Sequence, residues 1–198
     1  TPSPHKRPQD LEIIVYREDT EDIYMGIEWD SNDPIGIKLR EHLNSKVIPA
    51  NGKLGNRKIP TESGIGIKPV SKEGSQRHIR KAIQHAMKLS GKKRHVTLVH
   101  KGNIMKFTEG SFRDWGYELA TTEFRNNCVT ERESWILSNL DKEPGLSIEN
   151  NAKKIDPGFS SLTQEKKDII CNEVQSVITN INKTHGNGKW REMVLIDD

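Results

Sequence analysis

The 198 residues, 32% hydrophobic and 30% charged, suffice for one or two domains with a stable core. No apolar run reaches the ~20 residues of a membrane helix, and residues 1–8 lack the apolar segment of a secretory leader. The net charge of +3 is unevenly spread, at −1 over residues 1–60, +7 over 61–130 and −3 over 131–198. The positive centre suits a polyanion such as a phosphate, a polycarboxylate or nucleic acid. Its run Lys92-Lys93-Arg94 has no interleaved aromatics and reads as a solvated turn. Cys128 and Cys171 lack metal-ligand spacing and read as free thiols of a reducing compartment.

Residues 1–10 are a Pro-rich, extended lead-in. The β-branched content of residues 11–17 predicts a strand that delivers Arg17 and Glu18 to its end. From Ile23 to Trp29, apolar Ile23, Met25 and Ile27 alternate with Tyr24, Gly26 and Glu28, which predicts a half-exposed strand. Residues 30–63, rich in Asp, Asn, Gly and Pro, predict a loop-rich insertion with a short helix near 37–43. Residues 64–70 predict another strand, ended by Pro69. A helix follows, with Ser71 as N-cap, an apolar stripe of Ile79, Ala82, Ile83, Ala86 and Met87, and Gly91 as its C-terminal stop.

The stretch from His95 to Gly110 reads as a buried strand (Val96, Leu98, Val99), a polar turn broken at Gly102, and a helix start at Thr108. Phe112, Trp115 and Leu119 carry that helix to about Phe124, so residues 65–125 run strand–helix–strand–helix, an α/β pattern. In open α/β sheets ligands gather where strands end and helices begin. Lys101, Asn103 and Lys106 stand there. In residues 131–188, Ser147 and Thr163 are candidate N-caps, and Ile170, Val174, Val177, Ile178 and Ile181 form a helical stripe expected to cover the protein's own core. A glycine-rich turn then leads to a strand-like run at 193–196. The absence of an initiator Met and the break-off at Asp197-Asp198 lead to the expectation of an internal segment of a longer protein.

No HExxH, GxSxG, CxxC or dinucleotide-binding motif is present, and His95 and His100 read as structural rather than metal-ligating. Taken singly, Arg17, Tyr24 and Lys101 would be an ion-pairing arginine, a half-buried tyrosine and a loop lysine. Two function classes remain open on residues alone: an enzyme acting on an anionic substrate, or a non-catalytic basic α/β module binding protein or nucleic acid.

Three runs narrow this: residues 16–29 (Tyr-Arg-Glu-Asp-Thr-Glu-Asp-Ile-Tyr-Met-Gly-Ile-Glu-Trp), 64–74 (Gly-Ile-Gly-Ile-Lys-Pro-Val-Ser-Lys-Glu-Gly) and 98–110 (Leu-Val-His-Lys-Gly-Asn-Ile-Met-Lys-Phe-Thr-Glu-Gly). With Asp114-Trp-Gly-Tyr117, they resemble the central part of the bacterial NADP-dependent isocitrate dehydrogenases, within the metal-dependent decarboxylating hydroxyacid dehydrogenases. The long run from Lys101 to Gly110 favours these over the isopropylmalate relatives.

The resemblance covers roughly residues 1–127. It implies an α/β fold of the isocitrate/isopropylmalate dehydrogenase small-domain type plus a clasp, with a helical insertion. Its divisions are a lead-in (1–21), a clasp-like dimerisation insertion (22–66), a small α/β domain (67–127), a helical insertion without assigned role (128–190) and a truncated strand (191–198). It implies a cytoplasmic homodimer of the tricarboxylic acid cycle that oxidatively decarboxylates isocitrate with NADP and Mg2+ or Mn2+, without nucleic-acid or membrane partners. By resemblance, Arg17 binds a substrate carboxylate, Tyr24 protonates the enol, Lys101 manages the hydroxyl proton in the partner subunit's site, and Asn103 lies near the cofactor. The serine-bearing substrate loop, the metal-binding aspartates and the glycine-rich cofactor segment of the family have no counterpart in these residues, and Asp197 and Asp198 are not expected to be the metal ligands.

Overall fold

The computed structural model describes residues 12–89 and 94–198, which fall into two compact units divided between Ser71 and Lys72. Leu11, Gly91 and the run Lys92-Lys93 lie outside the described residues, and with them the start of the first expected strand and the helix stop expected at Gly91.

In the first unit, β1 (Glu28–Trp29) pairs antiparallel with β2 (Ile65–Gly66), with Trp29 opposite Ile65. Between them lie α1 (Pro34–His42), a wide π turn (Leu43–Val47) and the single turn α2 (Ile48–Ala50). The helix expected near 37–43 thus begins earlier. Asp33 caps it, its Oδ1 accepting from the amides of Ile35 (2.7 Å) and Gly36 (3.2 Å), and Pro34 occupies the first helical position. Polar staples close the loop. Buried Arg40 donates from Nη1 to the carbonyls of Ser31 (3.3 Å) and Ser63 (3.0 Å). Asn44 exchanges two hydrogen bonds with Ile59, at 2.9 and 2.8 Å.

Two strand expectations fail in this unit. Residues 12–17 pair with no strand among the described residues, and Ile13, Ile14 and Val15 are exposed. β-branched content favours a pleated surface but does not supply a partner ladder. The alternation over 23–29 is misleading too: Asp22–Met25 is a 3₁₀ turn closed by Gly26 at φ 63°, and only Glu28–Trp29 is strand. The strand expected over 64–70 shrinks likewise to Ile65–Gly66.

The second unit is a three-stranded parallel sheet in the order β3-β5-β4, with helices on both faces. In chain order its elements are α3 (Lys72–Lys88), β3 (Arg94–Thr97), α4 (Glu109–Thr122), β4 (Cys128–Thr130), α5 (Glu131–Lys142), α6 (Ile148–Ile155), α7 (Gln164–Ser176), a π turn (Val177–Ile181), α8 (Asn182–His185) and β5 (Val194–Asp197). The last strand is the central one. Val194 aligns with both Arg94 and Cys128, and Ile196 with Val96 and Thr130.

Because strand side chains alternate, β5 feeds two cores. Val194 and Ile196 join Cys128, Leu98, Ile79 and Ile83 of α3, and Leu119 and Ala120 of α4. Leu195 and Val129 face Ile136 and Leu137 of α5, Ala152 and Ile155 of α6, Phe159, and Val174 of α7. The stripe expected from Ile170 to Ile181 does cover the protein's own core. Arg80 of α3 and Glu123 form a bidentate pair at 2.7 Å, binding α3 to the end of α4.

The expected caps divide. Ser147 accepts from Asn150 (3.3 Å), whereas Thr108 and Thr163 hold cap positions without a side-chain hydrogen bond. Cys128 and Cys171 are free thiols, as expected, and burial pushes Cys128 up to about 12. None of the helices among the described residues is long and apolar enough to cross a membrane.

Candidate active-site residues

Arg17 and Tyr24 belong to the first unit, Lys101 and Asn103 to the second. Within the first unit, the chain turns back so that Arg17 meets Tyr24, seven positions on. The turn is made by Glu18, whose Oε1 accepts from the Thr20 amide (2.6 Å), the Thr20 hydroxyl and the Glu21 amide (3.1 Å). Asp22, at φ 63°, then anchors the chain to β2's trailing segment: its amide donates to the Pro69 carbonyl (2.9 Å) and its carboxylate pairs with Lys68. Aspartate is among the few side chains that tolerate this left-handed backbone.

The Arg17 guanidinium lies 4.9 Å from the Tyr24 ring centroid and donates from Nε (3.1 Å) and Nη2 to the phenol oxygen. That hydrogen bond raises the Arg17 pKa further and keeps the group cationic. Both side chains are exposed, and Nη1 of Arg17 has no partner among the described residues. A carboxylate could therefore approach a cation that already holds a phenol.

In the second unit the loop after β3 is fixed through its backbone. The Lys101 amide donates to Glu109 Oε2 (2.9 Å), and its carbonyl accepts from the amides of Ile104 and Met105 (3.0 Å each). Gly102 is buried against the start of α4; a Cβ there would stand 2.9 Å from Gly110 Cα. The side chains of Lys101 and Asn103 are exposed and have no partner among the described residues. Exposed Val99, Ile104 and Phe107 surround them in sequence.

His95 and His100 each meet a carboxylate at the end of β5. His95 Nε2 lies 2.7 Å from Asp197 Oδ2, and His100 Nε2 lies 3.0 Å from Asp198 Oδ2. Asp198 Oδ1 also accepts from the Tyr117 hydroxyl (2.7 Å). Burial pushes the Asp198 carboxyl up, but the hydrogen bonds from Tyr117 and His100 outweigh it and hold the group below its ordinary value. Burial and the Asp198 hydrogen bond push the Tyr117 phenol upward. This His100–Asp198–Tyr117 cluster is not foreseen from sequence, because it depends on β3 and β5 being neighbours in a parallel sheet. Among the described residues no group of three or more His, Cys, Asp or Glu side chains could hold a metal ion.

The family model described as isocitrate/isopropylmalate dehydrogenase matches residues 1–157. A protein of Nostoc sp. named NADP isocitrate dehydrogenase is 62% identical over the whole of this chain, which covers 42% of that relative. A protein of the same name from Synechocystis sp. is 60% identical over the same extent, again 42% of its length. One from Staphylococcus aureus is 45% identical over 154 residues, 77% of this chain and 35% of the relative. The chain thus spans about two-fifths of the length of the cyanobacterial relatives, and those matches include α5 to α8. The match over most of its length and the mixed α/β sheet agree, and the chain belongs to the isocitrate/isopropylmalate dehydrogenase family.

Proposed function

We propose that this chain is the central part of a cytoplasmic NADP-dependent isocitrate dehydrogenase of the tricarboxylic acid cycle, which oxidatively decarboxylates isocitrate to 2-oxoglutarate. The observation that carries the proposal is the Arg17–Tyr24 contact: a fixed cation and a phenol share one exposed face, on the residues where the family resemblance puts carboxylate binding and enol protonation. Whole-chain identity of 62% to a relative of that name supports it.

Arg17 holds a substrate carboxylate with the guanidinium face not used by Tyr24. Lys101 accepts the hydroxyl proton as the carbinol carbon is oxidised. Asn103 would help hold NADP, which when bound would supply the hydride acceptor for this oxidation. After carbon dioxide leaves, Tyr24 gives its proton to the enol carbon, and the oxygen it leaves keeps two donors from Arg17. The magnesium or manganese ion implied by the resemblance does not fit the described residues of this chain, which present no ligand cluster. Both Asp198 oxygens are taken by His100 and Tyr117, and Asp197 faces His95.

Residues 22–66 serve as the clasp of a homodimer, and Lys101 acts in the partner subunit's site. Exposed Ile23, Met25, Ile35 and Val47 in that segment give it apolar surface to bury against a second copy. The test is isocitrate-dependent NADP reduction by the full-length enzyme with magnesium. Lys101→Met is expected to abolish turnover while leaving the circular dichroism spectrum unchanged; full activity in that variant sinks the proposal.

A further inference from the structure

We infer that His100 is a positioning residue for Lys101, holding the lysine's backbone through a hydrogen-bond chain from α4 and β5 to the Gly102 amide. The inference rests on Lys101 being the proton acceptor proposed above.

The His100 ring is only 10% exposed, and both of its nitrogens are committed. Nδ1 accepts from the Gly102 amide at 2.9 Å, which sets the tautomer with the proton on Nε2. That Nε2–H donates to Asp198 Oδ2 at 3.0 Å. The other carboxylate oxygen accepts from the Tyr117 hydroxyl at 2.7 Å. The ring is thus clamped between the ends of two adjacent parallel strands and the helix that follows the loop. A ring rotated by 180° about its Cβ–Cγ bond would lose both partners.

What the clamp holds is the peptide between Lys101 and Gly102. On the other side of Lys101 its own amide is held by Glu109. The lysine backbone is therefore fixed at both flanks, while the side chain extends into solvent without a partner among the described residues. This is the arrangement a proton acceptor needs: a mobile tip on an immobile root. Misplacing a reacting group by about 1 Å can cost about a hundredfold in rate. A mere loop staple would alter stability and every kinetic constant together. A positioning residue alters kcat and leaves substrate and cofactor KM in place.

The experiment compares three variants of His100 in the full-length enzyme with isocitrate, NADP and magnesium. In His100→Asn, Oδ1 can stand where Nδ1 stood and accept the Gly102 amide. His100→Gln reaches Asp198 but offers no acceptor to Gly102. His100→Leu offers neither. The expected result is a kcat lowered about tenfold to a hundredfold in Leu and Gln, both KM values within about twofold of wild type, and recovery of most of kcat in Asn. If Leu fails to fold, the Asn–Gln pair decides alone. Equal activity in Asn and Gln overturns the inference, as does a loss that appears in KM rather than kcat. Lys101→Met, assayed alongside, separates the two levels. An inactive Lys101→Met with wild-type kcat in Gln and Leu defeats the positioning role only. An active Lys101→Met defeats the proton-acceptor reading and the positioning role with it.

Discussion

Gly102 shows how closely the loop carrying Lys101 is built. A Cβ at this position would sit 2.8 Å from His100 Nδ1, 2.9 Å from Gly110 Cα and 3.2 Å from Gly110 N. Two of these three atoms are backbone at the start of α4, so no side-chain rotation relieves the clash. Gly102→Ala must push the loop off the helix or lengthen the His100 hydrogen bond. Overpacking of this kind costs about 1–3 kcal/mol. We expect the variant of the full-length enzyme to melt at lower temperature in calorimetry and to lose turnover in the same assay. A variant with wild-type melting and wild-type kcat would show that the loop is not packed as described.

At the scale of elements, the transition from β4 to α5 occurs without a connecting residue. Thr130 ends the strand and caps the helix, its Oγ1 accepting from the Glu133 amide (3.3 Å) while Glu133 Oε2 accepts from the Thr130 amide (2.9 Å). Glu133 also pairs with Arg125 at 2.7 Å, so one carboxylate serves cap and ion pair. Thr130→Ala removes the cap acceptor and is expected to cost about 1 kcal/mol. Amide exchange in the first turn of α5 should then speed up about fivefold, and unchanged protection there would refute the role of the cap.

The same element marks the limit of what periodicity reveals. α3, α4 and α7 show their apolar stripes in sequence because each packs one face on a core. The start of α5 lies in a Thr-x-x-Glu pattern rather than in a stripe, and β4 is only three residues long. The lead-in strand fails for the opposite reason: Ile13, Ile14 and Val15 have strand propensity, yet no ladder among the described residues takes them up. For the candidate site, the individual residues are legible only as members of family-like runs. Their supports are not, since the contact of Arg17 with Tyr24 depends on the Glu18 turn, and that of His100 with Asp198 on a register set 98 residues apart.

For the molecule as a whole, the helical segment between β4 and β5 is part of the sheet's architecture, since without it Val129 and Leu195 would face water. His185 bolts its far end to the near one. The ring is fully buried, with Nε2 3.0 Å from the Arg125 carbonyl and 3.2 Å from that of Cys128, and Nδ1 2.6 Å from Thr184 Oγ1. The charged groups facing it are Arg125 and Glu133. Burial and then the Arg125 charge depress its pKa below the ordinary 6.5, outweighing the two carbonyls and Glu133. Above pH 6.5 the ring is neutral whether folded or unfolded, and its contribution to stability is fully present. As pH falls below that value the unfolded chain takes up a proton that the folded chain refuses. Stability is then lost until pH reaches the depressed folded pKa. His185→Gln keeps a polar side chain but has nothing to titrate. The stability difference between wild type and this variant, read from urea unfolding of the full-length enzyme, should therefore shrink as the buffer is taken from pH 8 to pH 5. A difference that stays constant over that range would mean that His185 packs without bearing on acid stability.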